Sequence, residues 1–228
     1  MAKATLAIIG ARLDGQAGVV FDIFSLGTEF EVVKFFDRTL ELKGSILKGI
    51  PVQSDIFQIT DKDFDSIDFF HIAIGNNKAR ADIFNFLKTK GAKFANCIHP
   101  SAVISKTALM GEGVFIGANA VVQNDVTIGN VCILNSSSVI EHNNKIGDAV
   151  QVAPNATTGG RVVLEDLVFL GISSIILPDL HIGTGAFIGA GAIITKDVPE
   201  NNVMIGNAAV SHKKNIYVEN ESITSREK

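Results

Sequence analysis

The sequence predicts two parts of unlike architecture: a small α/β unit with a parallel sheet over residues 1–97, then an all-β coil over residues 98–199. Three observations predict it. Strand-like and helix-like stretches alternate in the first part. Twelve of the 15 phenylalanines lie before residue 97, and only Phe115, Phe169 and Phe187 follow it. From Ile98 onward, apolar residues recur at a strict spacing of six.

Taken in order, "TLAIIGA" (5–11) is a short apolar run ending in glycine, "AGVVFDIFSLG" (17–27) has helical spacing, and "EVVKFFD" (31–37) is strand-like. "FFHIAIGNN" (69–77) has the pattern of a buried strand, and "KARADIFNFLKTKG" (78–91) that of an amphipathic helix closed by Gly91. Such alternation implies a half-Rossmann-like parallel sheet with helices on its faces.

Stepping by six from Ile98 to Ile194, sixteen of 17 positions are apolar, Thr158 being the exception. No helix or strand period gives a strict six, and a repeat of this length is the mark of a β-helix. The following position is glycine in eight hexads, at 111, 117, 129, 147, 159, 171, 183 and 189. These glycines, with asparagine, are expected to ease corners that need unusual backbone angles. Residues 200–218 read as a C-terminal cap, and 219–228, "ENESITSREK", as a frayed polar tail.

Composition limits the function classes. With 46% hydrophobic and 19% charged residues the chain reads as soluble and globular, and a net charge of −4 gives no reason to expect a nucleic-acid partner. No apolar run approaches the roughly 20 residues that span a bilayer, so no membrane insertion is expected. The start lacks the pattern of a signal peptide. Cys97 and Cys132 make neither a disulfide framework nor a zinc site, and a cytoplasmic location fits best.

The hexads resemble those of the left-handed parallel β-helix of hexapeptide-repeat acyltransferases. The resemblance implies left-handedness and a triangular coil, each turn of which takes three hexads. Within "IEHNNK" (140–145), Ile140 and Asn144 then face inward and His142 outward. Gly160 and Pro178 lie above His142 in its column and Asn124 below, and Gly160 leaves room beside the ring and a main-chain N–H.

"NSSSVIEHNNKIGD" (135–148), the hexads through "TKDVP" (195–199) and "FFHIAIGNNKAR" (69–80) together resemble the bacterial nucleotide-sugar N-acetyltransferases. These acetylate the 4-amino group of 4-amino-4,6-dideoxy sugars, and the bacillosamine-forming members are the nearest likeness. The resemblance implies direct transfer from acetyl-CoA to a UDP-linked amino sugar, with no metal, by a homotrimer with a site at each subunit junction. Its general base falls on His142, a residue type suited to taking a proton from an amine near neutral pH. The resemblance places acetyl-CoA at Gln151, Gly160, Ile172 and Ala190. The nucleotide sugar is expected beyond the carboxyl ends of the strands, at Gly10, Arg12, Asp37, Arg38, Gly75 and Asn76, with Asn135 as a further candidate; the resemblance implies that Asp37 accepts from the nucleoside. The Gly160 N–H is the candidate oxyanion donor.

Three positions depart from the family pattern. Asn143 stands where an acid often orients the histidine, so Asn143 or Glu141 must serve. Gln151 stands where a second histidine is usual. The Gly10–Gly18 loop is two residues longer and lacks its histidine. Cys132 faces inward and is no covalent nucleophile. His99, His181 and His212 are expected in turns or on the surface, and His71 in a strand. Alternative readings are sugar O-acetylation of the sialic acid type, a zinc-dependent carbonic anhydrase on the same coil, and a non-catalytic nucleotide-sugar-binding scaffold. Only His99, His142 and His181 lie in the repeat, at spacings of 43 and 39, which do not bring three ligands together on a coil of three hexads per turn.

Overall fold

The run Ala4–Ile9 forms strand β1, whose four last residues are buried, as a strand covered on both faces requires. It lies between β2 (Phe30–Phe36) and β5 (Phe69–Ile72), parallel to both. The computed structural model describes residues 2–12, 15–53, 55–206 and 210–214. The tail assigned to 219–228 and the end of the cap, 215–218, lie outside the described residues.

Two short strands, β3 (Ile46–Leu47) and β4 (Ile50–Gln53), complete a sheet of order β3-β4-β2-β1-β5. β4 is parallel to β2, but β3 is antiparallel to β4, a hairpin absent from the sequence expectation. Its loop is Lys48-Gly49, both at positive φ (52° and 81°), the backbone of a two-residue hairpin turn. Helices α1 (Gln16–Leu26), α2 (Asp61–Asp65) and α3 (Asn77–Thr89) connect the strands. Leu6, Ile8, Val20, Phe35, Phe36, Phe70, Ile72 and Leu87 form the core. His71 on β5 is buried with them; its Nδ1 lies 2.9 Å from the Ala95 carbonyl, which only accepts, so Nδ1 carries the proton.

Residues up to 76 together with 80–98 form one compact unit, and 77–79 with 99 onward form a second. In the second, two-residue strands recur every six residues from Val103–Ile104 to Ile193–Ile194. Each pairs in parallel with the strand three hexads on, Val121 with Val139 and Val139 with Thr157, for example. Three faces result, named here for Val139, Lys145 and Gln151. The repeating apolar residue is the inward one: Ile140, Val152, Leu170 and Ile188 are fully buried. The Gln151 face continues through Asn202–Ile205 to the antiparallel strand Val210–Lys214.

Between strands run four-residue turns, and from the turn 111–114 on the third residue of each sits in the left-handed region. The series runs without interruption from Gly113 through Asn119, Val131, Asn143, Arg161 and Asp179 to Gly191, one every six residues with φ of 47–69°. Most of these residues are not glycine. The eight glycines expected at such angles are elsewhere, at the first turn position, and none has positive φ. Their reason is steric. In seven of the eight an added Cβ would come within 3 Å of the next coil. At Gly111, Gly129 and Gly147 that neighbour includes a side-chain oxygen, of Asn130, Asp148 and Asp166. These side chains form a ladder, accepting from the N–H groups of Glu112, Asn130 and Asp148 at 3.0, 2.6 and 2.7 Å. Glycine is therefore demanded by coil-to-coil approach, and asparagine or aspartate by the hydrogen bond that approach permits.

Candidate active site

His142 is the second residue of the turn 141–144, between the strands Val139–Ile140 and Lys145–Ile146. Ile140 and Asn144 on either side are fully buried, while His142 is half-buried and points outward from the coil. Its Nδ1 lies 2.9 Å from Asn143 Oδ1. With the amide oxygen accepting, Nδ1–H donates and Nε2 is left with a lone pair. Asn143 combines two demands: it supplies this acceptor, and it occupies a left-handed corner (φ 60°), which asparagine tolerates better than most residues. The Nδ1 partner is thus the Asn143 side chain.

Gly160, one coil on and buried, lies beneath the ring: a Cβ there would be 2.5 Å from both Cε1 and Nε2 of His142. The two turns are stitched together, with the Arg161 N–H donating to the His142 carbonyl at 2.9 Å and the Asp179 N–H to the Gly160 carbonyl at 3.0 Å. Arg161 and Asp179 occupy the same corner position as Asn143, one and two coils on. Their side chains form a bidentate pair, Nε to Oδ1 at 2.5 Å and Nη2 to Oδ2 at 2.8 Å. The guanidinium holds the Asp179 carboxyl below its ordinary value, with a smaller contribution from nearby His142. Sequence reasoning missed this pair; the available signal was two opposite charges three hexads apart in Asn143's column.

The residues assigned to acetyl-CoA do not all gather at this corner. Ile172, 56% exposed, and exposed Ala190 lie in the turns joining the Gln151 face to the Val139 face. The Gly191 N–H donates to the Ile172 carbonyl at 2.8 Å, so the two turns stack directly. Asn135 opens a turn at the same corner, its Oδ1 accepting from the Ser136 N–H at 2.8 Å. Gln151 projects from its face with Oε1 buried and unpartnered. The structure therefore brings His142, Asn143 and Gly160 together. It places Asn135, Ile172 and Ala190 at the preceding corner, with the Val139 face between. That face presents Val103, Val121, Val139, Thr157, Ile175 and Ile193 outward, with Val103 and Ile175 well exposed.

In the first unit a cleft of about 360 Å³ opens at the carboxyl ends of β1, β2 and β5, lined by Gly10, Arg12, Gly15, Gln16, Asp37 and Ala73 to Gly75. That is where open parallel sheets bind ligands. Gly10 has φ 103°, and a Cβ there would be 2.9 Å from the Ala73 carbonyl oxygen. The Asp37 carboxylate accepts from the Ala11 N–H at 2.6 Å and the Thr39 N–H at 2.8 Å, fastening the loop after β1 to the end of β2. Arg38 pairs with Asp55 at 3.1 Å and, like Asn76, is not among the lining residues. Two contributors went unread in the sequence. Gln16 lines the cleft with its Nε2 buried and unpartnered. Arg80, fully buried, donates from Nη1 to the carbonyls of Ile74 (2.9 Å) and Gly75 (3.3 Å), shaping the cleft's third wall from behind. The "GNNKAR" stretch (75–80) held that signal.

Comparison with known proteins places this architecture. Residues 5–87 match the PglD N-terminal domain, and residues 107–142 match the bacterial transferase hexapeptide (six repeats). Over 49 residues the chain is 45% identical to UDP-N-acetylbacillosamine N-acetyltransferase of Bacillus subtilis (strain 168), covering 22% of this chain and 23% of that protein. Over 114 residues it is 33% identical to serine acetyltransferase 2 of Arabidopsis thaliana, covering 49% and 30%. The chain thus spans less than a third of the length of these curated relatives. Among solved structures, PerB from Caulobacter crescentus in complex with CoA and GDP-perosamine superposes with a TM-score of 0.85 at 28% identity, over 93% of this chain and 99% of that one. The acetyltransferase domain of PglB from Neisseria gonorrhoeae FA1090 in complex with acetyl coenzyme A gives 0.80 at 27% identity, over 92% and 100%. With a PglD-type α/β unit matched over residues 5–87 and hexapeptide repeats matched over 107–142, the chain shares the architecture of the left-handed β-helix sugar N-acetyltransferases PerB and PglB over nearly its whole length.

Proposed function

We propose that the protein transfers acetyl from acetyl-CoA directly to the 4-amino group of a UDP-linked 4-amino-4,6-dideoxy sugar, acting in the cytoplasm. The observation that carries this reading is the juxtaposition of His142 Nε2 and the Gly160 backbone. The free amine attacks the thioester carbonyl, and Nε2, with its lone pair, takes the proton released as the C–N bond forms. The tetrahedral oxyanion accepts from the Gly160 N–H. Collapse breaks the C–S bond, and the imidazolium returns the proton to the departing CoA thiolate. Asn143 holds Nδ1 throughout, and the Arg161–Asp179 pair adds a charged border to the site.

The nucleotide belongs to the cleft at Gly10, Asp37 and Gly75. Gly10 allows close approach, and Arg12 at the rim supplies a cation for the pyrophosphate. The acetyl-CoA roles of Ile172, Ala190 and Gln151 call for a second subunit, because the Val139 face separates their corner from His142. A homotrimer with closed symmetry supplies that subunit, and the apolar outward residues of the Val139 face support it. GDP-perosamine, bound by PerB, is a second acceptor class to set beside the UDP sugar.

The test is release of free CoA thiol from acetyl-CoA with a UDP-linked 4-amino-4,6-dideoxy sugar, with GDP-perosamine and with sialic acid as acceptors. Release with the UDP amino sugar, preferred by at least tenfold in kcat/KM, is the expected outcome. Release with the hydroxyl acceptor and with neither amine would overturn it.

A further inference from the structure

We propose that Asn144, acting from inside the coil, is the positioning residue that holds the His142 turn and the Gly160 turn in register; its catalytic consequence rests on the acetyl-transfer reading above. Asn144 is fully buried and takes the inward position of its turn. The same position is Val126 one coil before, then Val162 and Leu180 in the following coils. One polar side chain thus interrupts an apolar column, and it does so in the coil that carries His142.

Its contacts are specific. Nδ2 lies 2.7 Å from the Glu141 carbonyl oxygen and 2.8 Å from the Gly159 carbonyl oxygen. Both partners only accept, so the nitrogen must face them, and both amide hydrogens are used. The Glu141 carbonyl belongs to the peptide that carries the His142 N–H. The Gly159 carbonyl belongs to the peptide that carries the Gly160 N–H. A trans peptide is planar with its C=O and N–H pointing opposite ways, so drawing the Gly159 oxygen inward aims the Gly160 N–H outward. Accepting at the carbonyl also polarises that N–H as a donor. One buried amide therefore sets the base-bearing turn and the oxyanion donor together.

Stability alone argues for another residue here. Asn144 Oδ1 is buried without a partner, as is Thr158 Oγ1 in the adjoining strand. An orphaned buried acceptor is a cost that valine, used at this position in the coils on both sides, does not carry. The neighbouring corner shows a partial substitute: Cys132 Sγ lies 3.0 Å from the Gly147 carbonyl, the same spacing along the chain as Asn144 to Gly159.

The experiment compares Asn144→Val and Asn144→Cys with the parent protein in three measurements: melting temperature, steady-state kinetics, and ¹⁵N NMR of the histidine rings. For Asn144→Val the expected result is an unchanged or raised melting temperature and a kcat lower by roughly 10- to 100-fold, as for a displaced catalytic group. KM for acetyl-CoA and sugar should stay within about threefold. The His142 Nδ1/Nε2 signals should shift from a single tautomer toward a mixture, with those of His99 and His181 unmoved. Asn144→Cys should recover part of the lost kcat. A kcat within twofold of the parent, or unmoved His142 signals, would overturn the proposal. So would activity lost only in step with a lower melting temperature, with no recovery by cysteine. The NMR arm needs no turnover, so it judges Asn144 even if no amino sugar proves to be an acceptor.

Discussion

The His142 ring occupies the space that a side chain on Gly160 would fill, Nε2 and Cε1 both standing 2.5 Å from the missing Cβ. Gly160→Ala should consequently displace the ring rather than the coil, because the obstructing atoms end a side chain that can swing out. The expected outcome is a folded protein with kcat reduced to a level near that of a histidine deletion. Gly117→Ala provides the contrast. There the Cβ would meet the Ser136 backbone nitrogen at 2.6 Å, which cannot swing away. Stability should fall by about 1–3 kcal/mol, as for other overpacked sites. Paired denaturation and kinetic measurements check both; a Gly160→Ala enzyme of normal activity would separate the ring from the chemistry.

His142→Ala should lower kcat by ~10²–10⁴-fold, the usual contribution of a general base. Affinity for acetyl-CoA and nucleotide sugar, measured by calorimetry, should be nearly unchanged. A kcat within threefold of the parent would leave His142 as a surface ring.

Asn143 needs a control that respects its backbone. Asn143→Gly keeps the left-handed corner and removes only the acceptor at Nδ1, whereas Asn143→Ala also strains the turn by roughly 1–2 kcal/mol. Asn143→Gly should cost under about tenfold in kcat, or about 1.4 kcal/mol of transition-state stabilisation. Asn143→Asp should raise kcat, because a carboxylate at Nδ1 favours the imidazolium that forms as the amine is deprotonated. A drop in rate with aspartate would show that the ring needs orientation without charge.

A pH effect on stability follows from His71. Burial lowers its pKa from the ordinary 6.5 to about 4, outweighing the opposing hydrogen bond to Ala95. Between those values the unfolded chain binds a proton that the folded chain does not. Stability from this group is therefore complete above about pH 6.5 and is lost as pH falls toward 4, by about 3 kcal/mol at most. Urea denaturation at pH 7.5, 5.5 and 4.5 should show the decline. His71→Gln, which keeps a donor for the Ala95 carbonyl, should reduce its slope.

By itself the sequence determined the two-part architecture and which way each residue of the coil faces. A strict period of six separates inward from outward positions, so the inward placement of Ile140 and the outward placement of His142 were legible without coordinates, while the stacking of three hexads per turn was an expectation from the resemblance. The first unit's strand and helix order was legible for the same reason, from apolar periodicity. The β3–β4 hairpin was not, because its strands are too short to show a pattern and only the Lys48-Gly49 dipeptide marks it. What the tertiary structure alone decided is what touches what. Sequence reasoning placed the repeating glycines at left-handed corners, but their demand comes from the backbone of the next coil, a full turn of the β-helix away, which no local propensity expresses. Whether Asp37 is open to a ligand or already engaged by the Ala11 and Thr39 N–H groups depends on distances of a few ångströms between separate elements. The same holds for Asn144, whose position was read as merely inward and whose amide binds two turns at once. Periodicity carries direction, since each residue's orientation follows from its own backbone. Contact depends on the summed geometry of two stacked coils, and only folding brings that sum to a definite value.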